Sequence, residues 1–165
     1  MADLNMKMTE PIFRTQYRVI YGDTDSGGMM YHANYLRLAE IGRTEMLRTW
    51  GIPYREMEQQ GIILPVTESY LRYKASARYD DLVTIATSLA EVKFVSCRFH
   101  YRITRWAKEK GQGQGQGQEQ LLVKGFTNLA CINRQGKLMS FPDNIRDALQ
   151  GVWQQGERAG SLKEA

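Results

Sequence analysis

The chain is poor in cysteine. Cys97 and Cys131 are the only two among 165 residues, and no CxxC is present. Two thiols cannot build a disulfide framework, so a small stapled secreted scaffold is excluded and a reducing, cytoplasmic setting is expected. Histidine is as scarce, with His32 and His100 alone. Without HExxH or a Cys/His cluster a zinc site is poorly supported. Long apolar runs are missing as well. None approaches the ~20 residues of a membrane-spanning helix, so stable membrane insertion is not expected. The opening MADLNMKMTEPIF has no apolar stretch of the secretory kind. GxSxG is absent, and with it the signature of a hydrolase nucleophile elbow. Charge of one sign is not in excess: 22 Lys+Arg face 18 Asp+Glu, a net of +4, and the arginines are dispersed. That balance admits an anionic small molecule and does not call for nucleic acid.

What is present suits one folded domain over residues 1–165. The hydrophobic share is 42% and the charged share 24%, both ordinary for a globular core. Residues 1–11 read as a loose arm. Phe13 to Tyr21 alternates with period two, the pattern of a strand. GDTDSGG at 22–28 is dense in turn formers. From about His32 to Trp50 the period changes to three or four, through Tyr35, Leu38, Ala39, Gly42, Met46 and Trp50, which predicts a helix with a broad apolar face. Gly42 costs such a helix ~1 kcal/mol against Ala, which points to a backbone packed close by. Gly51 and Pro53 end it. Tyr54 to Gln60 predicts another short helix. Strands are expected at Ile62–Ala75, Leu82–Val92, Lys93–Trp106 and Leu121–Asn133, with a short one at Lys137–Phe141 and a terminal helix at about Asp143–Gln154. Residues 156–165 read as a mobile tail. Lys108–Gln120, KEKGQGQGQGQEQ, holds no apolar residue and no phosphate-binding glycine motif, and reads as a flexible loop between two strands. One long helix among antiparallel strands is an α+β layer architecture, and no βαβαβ pattern supports a doubly wound nucleotide fold.

Chemistry gathers in one stretch, Tyr21 to Tyr35. Asp23 and Asp25 leave a strand end, Gly27-Gly28 lets backbone approach a ligand, and Tyr31-His32-Ala33 leads into the long helix. A helix N-terminus offers free N–H groups and a positive dipole end, which can stabilise the oxyanion of a polarised carbonyl. A carboxylate upstream can act as nucleophile or as base for water. On the residues alone the aspartates read equally as turn formers or caps, and His32 as a capping or surface residue.

The string Asp23-Thr-Asp25-x-Gly-Gly-x-x-Tyr31-His32-Ala33-Asn34-Tyr35, followed by Arg43-Thr-Glu45-Met-Leu-Arg48 and Gly51, resembles the acyl-CoA thioesterases of the 4-hydroxybenzoyl-CoA thioesterase type, YbgC-like branch. Ala77-Arg-Tyr-Asp-Asp81 before a Val/Ile/Thr-rich strand extends the resemblance, which runs from about Phe13 to Pro142. It implies the hotdog fold, a long helix wrapped by a curved antiparallel sheet. It implies hydrolysis of a CoA thioester to an acid and free CoA, without metal or cofactor. Asp25 takes the place of the catalytic carboxylate, as nucleophile or general base. The His32 N–H would polarise the thioester carbonyl, and its side chain would orient substrate or water. Tyr31 would line the acyl pocket. The resemblance also implies sheet-paired dimers with sites at the interface, and tetramers of two such dimers. Lys93 and Ser96, at the start of a strand, fall near its phosphate contacts. Along that strand Arg98, His100 and Arg102 share one face, which reads either as a basic surface for CoA or as a solvated or interface face.

Two departures stand out. The Gly/Gln insert is foreign to the pattern, and Met29-Met30 replaces smaller residues, which would loosen the acyl pocket. A dehydratase of the same fold fits the DTD loop poorly. A non-catalytic acyl-CoA or acyl-carrier binding protein is the alternative of a different class, and an Asp25 carboxylate beside an anionic ligand argues against it.

Overall fold

The computed structural model describes residues 6–108 and 117–161. The alternating segments form five strands: β1 (Phe13–Arg18), β2 (Val66–Tyr73), β3 (Leu82–Val92), β4 (Ser96–Lys108) and β5 (Gly117–Ala130). They make one antiparallel sheet in the order β1-β3-β4-β5-β2, so β1 and β2 are its edges. Three helices complete the α+β fold: α1 (Asn34–Thr49), α2 (Tyr54–Gln59) and α3 (Asp143–Ser161).

Period decides the packing. Helix α1 buries Tyr35, Leu38, Ala39, Gly42 and Met46 of the stripe its spacing predicts, and Leu47 beside them, while Trp50 is half-buried at the C-cap. The sheet answers with Val83, Ile85 and Leu89 of β3 and Cys97, Phe99, Tyr101 and Ile103 of β4, all buried. Each large apolar side chain so covered contributes roughly 1.5–3 kcal/mol. The helix lies close because of Gly42: a Cβ there would stand 2.3 Å from Thr87 Oγ1 and 2.9 Å from Ile85 Cγ2. Gly51, at φ +77°, ends the helix in the left-handed region, and the Ile52 N–H reaches back to the Leu47 carbonyl at 3.0 Å.

Several boundaries differ from expectation. The helix begins at Asn34 rather than His32, because His32 and Ala33 form a turn before it. The arm at 1–11 is bound from Met6 onward: the Thr9 hydroxyl donates to the Leu89 carbonyl at 3.2 Å, and His100 Nδ1 lies 2.8 Å from the Lys7 carbonyl. That contact buries His100, on a face whose Arg102 stays exposed. Lys137–Phe141 makes a single bridge, Leu138 to Ile132, instead of a strand. Helix α3 continues past Gln154 to Ser161, so helix replaces the expected tail there. In the Gly/Gln segment Lys108 closes β4 and Gly117 to Gln120 open β5, paired as Lys108 with Gly117. Residues 109–116, like 1–5 and 162–165, lie outside the described residues.

Candidate active site

β1 delivers the chain into a 3-10 turn at Tyr21–Asp23, and the loop then folds onto itself. Thr24 and Met30 form a bridge, and the Asp25 N–H donates to the Met29 carbonyl at 2.8 Å. Gly28, at φ +71°, makes that reversal possible. The Tyr31 N–H and the Asn34 side-chain amide both donate to the Asp23 carbonyl, at 2.8 and 2.9 Å. The loop is thereby tied to the entrance of α1.

The two aspartates part company here. Asp23 is buried. Its Oδ2 accepts from the Tyr17 hydroxyl at 2.8 Å and from the Ile20 N–H at 3.0 Å, and its Oδ1 meets Arg37 of α1. Arg37 also donates to the Tyr17 hydroxyl at 3.1 Å, and this bond, reinforced by Asp23, raises the guanidinium pKa further. Asp25 is exposed. Its Oδ1 accepts from the N–H groups of Gly27 (2.8 Å) and Met29 (3.3 Å), while its Oδ2 has no hydrogen-bond partner among the described residues. One carboxylate oxygen is anchored and the other is presented to solvent. That is the geometry a nucleophile or a water-activating base needs.

At the helix entrance, Tyr31 and His32 are both exposed, their rings 4.3 Å apart between centroids. The first turn takes its N–H bonds from Asn34, Tyr35 and Leu36. Among the described residues, the N–H groups of His32 and Ala33 have no acceptor. Two unspent donors at the positive end of a 16-residue helix can hold a developing oxyanion. The loop at 74–81 braces this end. The Met30 N–H donates to the Ala77 carbonyl at 2.8 Å, the Ala77 N–H to the Tyr35 hydroxyl at 2.9 Å, and the Tyr73 hydroxyl to the His32 carbonyl at 3.0 Å. Burial raises the pKa of Tyr35 and Tyr73, so both keep their protons. Met30 is a buried core residue beside Tyr35 and Leu38, and of the methionine pair only Met29 is exposed.

Asp25, Tyr31 and His32 share one loop and helix entrance; Lys93 and Ser96 do not join them. They close the β3–β4 hairpin, where the Lys93 N–H donates to the Ser96 carbonyl at 2.7 Å and the Lys93 ammonium pairs with Glu91 at 3.1 Å. The Asp25 loop sits by the other end of β3, where the Val19 N–H donates to the Asp81 carbonyl. Eleven residues of strand at ~3.3 Å each separate the two ends by roughly 35 Å. Within one protomer these groups stand at opposite ends of the sheet. Sequence reading missed Tyr17 and Arg37, which hold Asp23, and Tyr73, which holds the helix entrance. Arg37 lies on the polar face of α1, and nothing in its spacing marks it as a partner of Asp23. Among the described residues no three His, Cys, Asp or Glu side chains gather as a metal would require.

A five-stranded antiparallel sheet packed against helix α1, with a carboxylate loop at the helix entrance, is the architecture of the hotdog-fold thioester hydrolases. The family comparison agrees: the thioesterase-like superfamily matches residues 19–149, and the chain belongs to that superfamily. The acyl-CoA thioesterase YbgC of Haemophilus influenzae is 32% identical over 139 residues, covering 82% of this chain and 93% of that one. Among solved structures, the DHNA-CoA thioesterase of Staphylococcus aureus superposes with a TM-score of 0.77 at 28% identity, covering 90% and 95% of the two chains. The TT1821 protein of Thermus thermophilus follows with 0.73 at 30%, covering 86% and 97%.

Proposed function

We propose that the protein hydrolyses an acyl-CoA thioester to a carboxylic acid and free CoA, with Asp25 as the reacting carboxylate. The observation that carries this is the pairing of a half-free Asp25 carboxylate with the unspent N–H groups of His32 and Ala33 on one loop. The two donors polarise the thioester carbonyl. In one route Asp25 Oδ2 then attacks the carbonyl carbon, expelling the CoA thiolate and leaving a mixed anhydride that water hydrolyses to the acid and free Asp25. In the other it draws a proton from a water that attacks the carbonyl carbon and expels the thiolate. In both routes the thiolate takes up a proton that the water supplies. The Gly27 and Met29 N–H groups hold Oδ1 and so keep the Asp25 carboxylate aimed. Tyr31 and Met29, both exposed beside it, line the acyl end.

The proposal extends to a dimer. The β2 edge presents Val66 and Tyr73 exposed, and Tyr73 touches the helix entrance. An edge strand is a template for another strand. A two-fold axis that pairs β2 with a second β2 runs the second sheet in reverse, because an isologous contact is self-complementary. The Lys93–Ser96 end of the second copy is then brought toward the Asp25 end of the first, where it can take CoA phosphates. Its buried free thiols fit the reducing cytoplasm where we place the enzyme.

The test is thiol release from short-chain, long-chain and aromatic acyl-CoAs, run beside Asp25→Asn and His32→Ala. Release that falls by more than about a hundredfold in Asp25→Asn, and by much less in His32→Ala, is the expected result, since the backbone donor survives in the second. No release from any ester, with acyl-CoA retained, would make the protein a binder and overturn the reading.

A further inference from the structure

The face of the sheet turned away from α1 carries a row of cations in strict register. Arg14 of β1 pairs with Ala86 of β3, Ala86 with Arg102 of β4, Arg102 with Lys124 of β5, and Lys124 with Arg72 of β2. Five neighbouring strands thus place four positive side chains and one alanine on a single line. Strands ~4.8 Å apart make the line about 19 Å long. Like charges directly opposite one another destabilise a sheet. No described carboxylate relieves them: none of the four takes part in an ion pair among the described residues. Yet the chain pairs carboxylates with Arg18 and Arg105 on the same strands.

The gap in the row is a cavity. Ala86 lines it, with Arg14 and Arg102 on either side, about 10 Å apart along the row. The N-terminal segment supplies its apolar lining through Met6, Met8 and Ile12, and the cavity volume is about 430 Å³. That is the size of a small-molecule site. Lys7 and Glu119 also line it. Glu119 is held by the Thr104 hydroxyl at 2.8 Å, and the balance of charge stays positive. Guanidinium groups match phosphate oxygens in a planar, bidentate way that an ammonium does not.

We infer that this cavity binds an organic phosphate of the adenine nucleotide class, with Arg14 and Arg102 on the phosphates and the methionine–isoleucine lining against the base. The site shares no residue with the Asp25 loop. Two sources carry this chemistry, a free nucleotide and the nucleotide end of a CoA molecule.

Isothermal titration of the full-length protein with ADP tests it, beside Arg14→Gln/Arg102→Gln and Ala86→Leu. ADP is expected to bind the parent, and each variant to weaken it more than about tenfold, the first by removing the cations and the second by filling the floor. Ala86→Leu keeps both cations, so it answers for the site if the double variant does not fold. Competition by CoA, with a raised KM for acyl-CoA in the double variant, assigns the site to the CoA tail. ADP binding that CoA leaves untouched assigns it to a free nucleotide. Absence of ADP binding, or equal binding by parent and variants, overturns the inference. So does binding to phosphatidylglycerol vesicles that the double variant loses while ADP binds neither protein. The ADP titration is independent of turnover, and Asp25→Asn is expected to bind ADP as the parent does.

Discussion

Asp23 and Asp25 stand two residues apart on one loop, and only Asp25 reaches solvent. The first accepts from Tyr17, Ile20 and Arg37, and the second from two N–H groups of its own turn. Their substitutions should therefore separate stability from turnover. Asp23→Ala leaves the Tyr17 hydroxyl and the Ile20 N–H without an acceptor, and should lower unfolding free energy by about 3 kcal/mol. Asp25→Asn should change it by less than about 0.5 kcal/mol, as exposed substitutions do, while abolishing most hydrolysis. Urea denaturation read beside thiol release checks both. Equal destabilisation by the two changes would count against the division.

Much of this arrangement is legible in the sequence, for a physical reason. Period separates helix from strand, and residues such as Leu38 and Ala39 must be buried wherever the helix lies. Local chemistry ties Asp25 to its Gly-Gly turn. What the sequence hides depends on contacts between distant elements. That Asp23 is the buried aspartate follows from Tyr17 and Arg37 converging from β1 and α1. That Lys93 and Ser96 stand far from Asp25 follows from the length and direction of β3. The binding of Thr9 to Leu89 joins residues 80 apart along the chain, and no periodicity announces it.

Gly42 points to a backbone packed close by, but what crowds it is the side chains of Thr87 and Ile85 rather than a backbone. Gly42→Ala improves helix propensity by ~1 kcal/mol. The added methyl nevertheless enters the space of Thr87 Oγ1 and Ile85 Cγ2. A net loss of about 1–3 kcal/mol is expected, because overpacking outweighs propensity. Thr87→Ala in the same chain should recover part of it, and a double-mutant cycle by denaturation measures that coupling. Gly42→Ala that stabilises the protein would show that the sheet yields.

The β2 edge predicts an assembly that charge can dissolve. Val66 is exposed on that edge. Val66→Lys with Ser69→Lys places cations where a second strand would pair, a device natural edges use against association. Sedimentation should show monomer in place of dimer, with the circular dichroism of the fold retained. Hydrolysis should fall with the dimer, because the Lys93–Ser96 end then comes from no second copy. A monomer with full activity would confine the site to one chain.

Cys97 gives the protein an alkaline limit. Burial between α1 and the sheet pushes its thiol up to about 12, against ~8.5 for a free thiol in the unfolded chain. Burial raises Tyr101 and Cys131 in the same direction. Between those two values the unfolded chain has released a proton that the native protein still holds. Stability is therefore complete below about pH 8.5 and declines as pH rises toward 12. Melting temperature measured from pH 7 to 11 should fall over the upper half of that range. Cys97→Ala should fall less steeply, since Tyr101 and Cys131 remain. At pH 8 the native protein should also resist iodoacetamide at Cys97 and react only once unfolded, because the thiolate is the nucleophile. Equal slopes with and without the thiol, or rapid alkylation of the native chain at Cys97, would mean that the helix opens often enough to hydrate it.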